Sequence, residues 1–96
     1  MSPQIAYRRA AAVVARAYGC SICEIEQPRG RARRQARLVA AYLAVTASNQ
    51  SIRSVARVVG VDHRAIGRGM ARIEDRRDVA SEDFRLAQLE DAIHAA

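Results

Sequence analysis

The sequence has few aromatic side chains and few prolines. It contains no tryptophan, one phenylalanine, three tyrosines and two prolines in 96 residues, and its apolar half is mostly alanine, valine, isoleucine and leucine. Strands are enriched in aromatic residues, so this composition favours a small helical domain over a sheet. We therefore expect an all-α fold, a compact helical bundle that forms a single domain over residues 1–96, because a chain of this length supports one core but not two.

Cysteine occurs only as a CxxC pair, at Cys20 and Cys23. A structural zinc site takes four ligands, and the two histidines, His63 and His94, lack the paired spacing of zinc ligands. A thioredoxin-like redox pair would require a βαβ context that the sequence does not have. We expect two small, semi-apolar thiols near a helix end, with no metal site and no cofactor.

Signals for secretion, membrane insertion and catalysis are also missing. The first residues are polar and are interrupted by Arg8, Arg9 and Arg16, so we expect a cytoplasmic, nucleoid-associated protein with no membrane partner. No nucleophile–base pair, carboxylate pair or metal cluster stands out, and no GxxxxGK[ST] phosphate loop occurs. We expect no enzymatic activity and no small-molecule substrate.

Arginine, in contrast, is abundant and unevenly distributed. All sixteen basic residues are arginine, and the net charge is +1 over residues 1–28, +9 over residues 29–77 and −4 over residues 78–96. A basic block followed by an acidic one indicates a polyanion-binding face. Binding to a membrane surface would favour bulky side chains on the apolar face of the basic segment, which instead carries alanine and valine. Nucleic acid is the expected partner.

A helix-turn-helix is predicted over about residues 51–77. Ser51 can cap a first helix, Gly60 can end it, and Asp62 can cap a second. The apolar residues at helical spacing are Ile52, Val55, Ala56 and Val59 in the first helix and Ile66, Met70 and Ile73 in the second. Arg64, Arg68 and Arg72 share another face of the second helix. This is the plan of a recognition helix that enters the DNA major groove, although an ordinary helical hairpin with a solvated basic face has the same pattern.

The remaining segments predict three further helices. The first runs from Ser2–Pro3 to about Tyr18, and the segment after it is expected to tuck Ile22 and Ile25 onto the core. A basic loop follows over about residues 28–34 and becomes helical around Arg33. The last helix is expected from Ser81. The expected buried residues are Ala6, Ala10, Val13, Val14 and Ala17 in the first helix, Leu38, Ala41, Tyr42 and Val45 in the helix after the loop, and Phe84, Leu86, Leu89 and Ile93 in the last.

The order of these parts resembles the C-terminal DNA-binding domain of the bacterial replication initiator DnaA, which has a Trp-repressor-like helix-turn-helix fold. The most specific pieces are Arg37 with the AAYL of residues 40–43, Ser51 with Val55 and Gly60, Asp62-His63, and Arg72-Ile73-Glu74. The resemblance implies that Arg29 enters the minor groove, that Arg37 contacts a phosphate, and that Asp62 and His63 read bases. Arg64 and Ala65 replace the family's two threonines, which implies a related but altered target site.

We expect a sequence-specific double-stranded DNA-binding protein without the ATPase, acting as a regulator or competitor at DnaA-box-related sites in transcription or replication control. The candidate DNA-binding residues are Arg29, Arg31, Arg33, Arg34, Arg37, Ser51, Arg53, Arg57, Asp62, His63, Arg64 and Arg68. The alternative is a protein-interaction module that docks on the replication initiator or another partner through its acidic C-terminal helix.

Overall fold

The computed structural model describes residues 1–95, and over that range the chain is all-α, as expected, with no strand. The six helices in this range are α1 (Pro3–Tyr18), α2 (Ile22–Glu26), α3 (Gly30–Thr46), α4 (Ile52–Val59), α5 (His63–Arg76) and α6 (Ala80–Ala95). None of them has the length and apolar character that a bilayer span requires, as far as the described residues extend.

Helix α3 lies at the centre of the bundle and contacts each of the other helices. Its buried residues are Ala36, Val39, Ala40, Ala41, Tyr42, Leu43 and Ala44. The largest helix contact is with α1, whose buried residues are Ala6, Tyr7, Ala10, Ala11, Val14 and Ala15. Alanines on both surfaces allow the two backbones to approach closely. The prediction that Ala17 is buried was wrong, because this residue lines an open groove between α1 and α6.

The segment after α1 forms a helix that was not predicted. Gly19, with φ 67°, ends α1, and a reciprocal capping box then starts α2. The Ser21 side chain accepts from the Glu24 amide and the Glu24 side chain accepts from the Ser21 amide, both at 3.1 Å. Ile25 is buried as predicted. Ile22 is 41% exposed, contrary to prediction, because it is the first residue of a five-residue helix whose packed side chain is Ile25.

The basic loop expected over residues 28–34 is largely helical. Arg29 is the N-cap of α3, and Gly30, at φ 82°, turns the chain into the helix. The prediction was wrong because arginine, alanine and glutamine all favour helix, so the propensity of this segment extends the helix back to the glycine. The candidates Arg31, Arg33 and Arg34 therefore lie on α3 rather than on a loop.

A polar network ties α5 and α6 to the central helix. The Tyr42 hydroxyl donates to Glu74 Oε1, and Arg77 Nη1 donates to the Tyr42 oxygen at 3.0 Å. The same guanidinium donates to Asp83 at 2.6 Å and to Glu90 at 3.1 Å. Hydrogen bonding to Glu90, then to Tyr42, raises the pKa of Arg77 well above its usual value. Arg77 therefore has a structural role, although it belongs to the basic block of the sequence.

Helix α6 begins at Ala80 and packs through Leu86, Leu89 and Ile93, three of its four predicted core residues. The fourth prediction was wrong, because Phe84 is 65% exposed. Phe84 lies two positions before Leu86, and this spacing turns the phenyl ring to the opposite side of the helix from the core.

Candidate nucleic-acid interface

The α4–α5 pair is joined by a short turn, and the three predicted caps are confirmed. Ser51 Oγ accepts from the Ser54 amide at 3.1 Å, and Gly60, at φ 84°, ends α4 by donating its amide to the Ala56 carbonyl at 2.8 Å. Asp62 Oδ1 then accepts from the Arg64 amide at 3.0 Å and starts α5. The end of α4 and the start of α5 are thus fixed by residues in or beside the turn.

The inner faces of the two helices agree largely with the apolar pattern. Ile66, Met70 and Ile73 of α5 are buried, and so are Val55 and Ala56 of α4. Ile52, predicted to be buried, is 36% exposed because it lies in the first turn of α4 at the edge of the bundle.

Helix α5 lies against α3 at a glycine. A Cβ atom added at Gly69 would come within 2.6 Å of both Cδ atoms of Leu38, whereas one added at Gly67 would meet nothing within 4 Å. Gly69 is therefore a point of close helix approach that sets the distance between α5 and α3. It was missed from the sequence, although Gly69 lies three residues after Ile66 and four before Ile73, at the spacing of the buried stripe, whereas Gly67 follows Ile66 directly.

The outer face of α5 is formed by Arg64, Arg68 and Arg72, all exposed. Most arginines of the basic block, residues 29–77, form no ion pair with an acidic side chain in the described part of the chain. Of the twelve arginines between residues 29 and 77, only Arg33 and Arg77 form ion pairs with acidic side chains among residues 1–95. The other arginine side chains are therefore available to an external anion.

Two adjoining grooves bring arginines of α3, α4 and α5 together. The α3–α5 groove has a volume of about 310 Å³, and its lining includes Arg34, Arg37 and Arg72. The α4–α5 groove has a volume of about 230 Å³, and its lining includes Arg53, Arg57, Asp62 and His63. Val61, in the turn before α5, lines both. We call the two grooves together with Arg64 and Arg68 the basic face.

His63 is the first residue of α5 and lies at the rim of the α4–α5 groove. Its Nδ1 is 3.6 Å from Asp62 Oδ1, and its side chain is 37% exposed. Because a carboxylate has two oxygens, Asp62 can cap the helix and still accept a hydrogen bond from a ligand. The start of α5 therefore presents an acceptor and an imidazole side by side.

Four candidate residues, Arg29, Arg31, Arg33 and Ser51, lie outside the basic face. Arg29 and Arg31 are exposed at the start of α3 but line neither groove. Arg33 donates to Glu24 at 3.2 Å, and the Ser21 amide together with this guanidinium lowers the pKa of the Glu24 carboxyl. The Ser51 hydroxyl is occupied by its cap and by Ser54 Oγ at 2.8 Å. Arg72, in contrast, lines the α3–α5 groove and was missed as a site residue, although it continues the four-residue series of arginines on α5.

Neither cysteine belongs to the basic face. Cys20 is half-buried, Cys23 is exposed, and both are free thiols. Within residues 1–95, no three histidine, cysteine or acidic side chains are grouped so that they could hold a metal ion.

Comparisons with models of known protein families, with curated proteins and with solved structures find no match to this chain.

Proposed function

We propose that the protein is a sequence-specific double-stranded DNA-binding protein in which α4 and α5 act as a helix-turn-helix and α5 is the recognition helix. The observation that carries this proposal is the convergence of unpaired arginines from α3, α4 and α5 on the α4–α5 turn. A duplex presents a dense array of phosphates, and arginine binds them through two parallel hydrogen bonds.

Phosphate contacts in this proposal come from both sides of α5. Arg34 and Arg37 lie across the α3–α5 groove from Arg72, and Arg53 and Arg57 lie in the α4–α5 groove. A recognition helix in the major groove is flanked by two phosphate backbones, so arginines on either side of α5 suit this docking. Arg68 extends the same positive surface along α5. Arg33 would have to leave Glu24 before it reached a phosphate.

Base contacts are assigned to the start of α5. Arg64 can donate two hydrogen bonds to a guanine edge, and Asp62 can accept one from a cytosine amino group. His63 lies between them in sequence and is accessible in the α4–α5 groove. These three residues supply donors and an acceptor, which sequence reading requires and which a uniformly basic surface does not provide.

The resemblance to the DnaA C-terminal domain supports the same assignment and extends it. Asp62 and His63 correspond to that family's base-reading pair, and Arg29, with help from Arg31, corresponds to its minor-groove arginine. Arg29 is exposed at the cap of α3, so its side chain is free to reach a neighbouring groove. We propose that the chain acts at the nucleoid by occupying sites related to the DnaA box, as a regulator of transcription or as a competitor in replication control.

The proposal is tested with duplex DNA in the absence of nucleotide and metal. The full chain is used to select sites from a random duplex pool, and affinities are then measured for the preferred site and for mixed-sequence duplex, with and without ATP. His63→Ala is compared with His94→Ala, which removes the exposed imidazole of α6, away from the basic face. We expect binding that ATP does not change.

His63→Ala should weaken binding to the preferred site by about 1–3 kcal/mol and leave mixed-sequence binding nearly unchanged, as loss of a base contact requires. His94→Ala should bind both DNAs as the unmodified protein does. Absence of duplex binding at low salt, or equal losses on both DNAs for His63→Ala, would contradict the assignment of α5 as the recognition helix.

A further inference from the structure

The outward side of α6 carries a bulky residue, a polar residue and a small residue at equal intervals. Phe84, Gln88 and Ala92 are all exposed and are spaced by four, so they lie along one side of the helix. Phe84, at 65% exposure, is among the most exposed large apolar side chains of the protein. An aromatic ring in water at this position has no role in the core described above.

A groove of about 590 Å³ lies between α1 and α6, beside Ala92. Its walls are Arg9, Ala12, Val13, Arg16, Ala17, Leu89, Ala92 and Ala95. The floor is apolar and built mainly from alanines, and two arginines of α1 stand at its edges. A cavity of about 150 Å³ accommodates a benzene ring, so this groove has ample room for a phenyl group.

The spacing of the series is self-complementary. If two copies of α6 cross antiparallel with a two-fold axis at Gln88, residues four positions before and four positions after the axis face each other. Phe84 of one copy then lies over Ala92 of the other, and the same contact is repeated on the far side of the axis. Each phenyl ring enters the α1–α6 groove of the second copy, and the two Gln88 amides meet at the centre.

Charge favours the same pairing. Helix α1 carries three arginines and no acidic residue, whereas α6 carries four acidic residues and one arginine. Glu82, Asp83 and Glu90 are engaged in ion pairs, but Asp91 has no basic partner among residues 1–95. An antiparallel pair brings the acidic α6 of each copy to the groove edge where Arg9 and Arg16 of the other copy lie.

We propose that this face, made of the Phe84–Gln88–Ala92 series and the α1–α6 groove, is the interface of a symmetric homodimer. The occupant of each groove is Phe84 of a second copy of the chain. The inference goes beyond DNA binding and does not rest on it, because none of the residues involved belongs to the basic face.

The first test is sedimentation velocity of the full chain over a range of concentrations. The unmodified protein should form a closed dimer. Phe84→Ala should weaken self-association about tenfold or more, since each dimer loses two ring contacts. Ile5→Ala, which removes an exposed apolar side chain of α1 that does not line the groove, should leave it unchanged. Circular dichroism verifies that each variant is folded.

A second variant makes the register itself testable. Ala92→Phe should also impair self-association, because two phenyl rings then compete for each position. An equimolar mixture of Phe84→Ala and Ala92→Phe chains should regain a dimer, since each ring in the mixed pair faces an alanine. The proposal would be overturned if the unmodified protein stayed monomeric at all concentrations or formed open-ended oligomers. It would also be overturned if the Phe84→Ala variant dimerised as well as the unmodified protein, or if the mixed variants failed to pair.

Cross-linking tests the two-fold axis. In a Cys20→Ser, Cys23→Ser background, Gln88→Cys should form a disulfide-linked dimer with oxidised glutathione, and this cross-link should disappear when Phe84→Ala is added. Gln35→Cys, an exposed position of α3 on another side of the bundle, is the control and should remain monomeric. Equal cross-linking at residues 35 and 88 would overturn the proposed interface, as would a dimer in which Gln88→Cys does not react.

Discussion

Two tyrosines buried in one core provide a matched pair of substitutions with opposite expected effects. Tyr7 is 5% exposed, and its hydroxyl has no hydrogen-bond partner within the described residues. Tyr42 is 1% exposed, but its hydroxyl donates to Glu74 and accepts from Arg77. Both side chains become phenylalanine without loss of ring volume, so the comparison isolates the hydroxyl.

The magnitudes follow from the partners. An unsatisfied buried polar group costs about 1–3 kcal/mol, so Tyr7→Phe should raise the free energy of unfolding by about 1 kcal/mol. Tyr42→Phe removes two hydrogen bonds to charged groups. Glu74 is exposed and can bond to water instead, and Arg77 keeps its bonds to Asp83 and Glu90. We therefore expect the free energy of unfolding to fall by about 1–2 kcal/mol.

The same pair predicts a pH dependence. Burial is the largest cause that raises the pKa of each tyrosine, and in Tyr42 the hydrogen bond to Glu74 adds to it. A raised pKa means that the folded state holds its proton when the unfolded state has lost it, so stability is fully present below about pH 10 and falls as the pH rises above it. Each substitution should therefore reduce the loss of stability in alkaline solution.

Urea unfolding followed by circular dichroism at pH 8 and above pH 10 measures both effects. Equal destabilisation by Tyr7→Phe and Tyr42→Phe would contradict the different roles of the two hydroxyls. A change in unfolding free energy between the two pH values that neither substitution alters would contradict the link between burial and the raised pKa values.

Two other predictions concern local features. Gly67→Ala should stabilise the protein by about 0.5–1 kcal/mol, because alanine has the higher helix propensity. Gly69→Ala should give a free energy of unfolding about 1 kcal/mol or more below that of Gly67→Ala, because its new methyl group displaces Leu38 of α3. Thermal unfolding of the two variants measures this difference. Replacement of both Cys20 and Cys23 by serine should change the affinity for duplex DNA by no more than a few-fold and should lower the free energy of unfolding by about 1 kcal/mol or less. Stoichiometric zinc in protein purified without chelator would contradict this prediction.

The sequence predicts best where structure is decided locally. Ser51, Gly60 and Asp62 each bond to a backbone group at most four residues away, so the ends of α4 and the start of α5 followed from residue type alone. The Ser21–Glu24 capping box carried an equally local signal for α2 that the hydrophobic pattern obscured. The prediction failed at Phe84, which was placed on the buried side of α6 because it is apolar and close in sequence to Leu86, although it faces solvent.

Features that depend on packing between helices could not be predicted. Arg34 and Arg72 share a groove because α5 meets α3 at Gly69. The spacing of Gly69 from Ile66 indicates the apolar side of α5, but it does not indicate which helix lies against that side. Arg77 lies within the basic block of the sequence, but it bonds to Tyr42 of α3, which is 35 residues away along the chain. Because of this bond Arg77 is not part of the basic face. Such pairings require the tertiary arrangement.

The salt dependence of duplex binding shows whether the basic face binds DNA through phosphates. A logarithmic plot of affinity against salt should have a slope of roughly −0.9 for each phosphate neutralised, so about six phosphate contacts give a slope of about −5. Arg37→Gln, which alters the α3–α5 groove, should weaken binding to all sequences and make the slope shallower by about one. Arg8→Gln removes the same charge from α1, outside the basic face, and should leave the slope unchanged. A shallow slope for the unmodified protein, or equal changes for the two variants, would contradict DNA binding through the basic face.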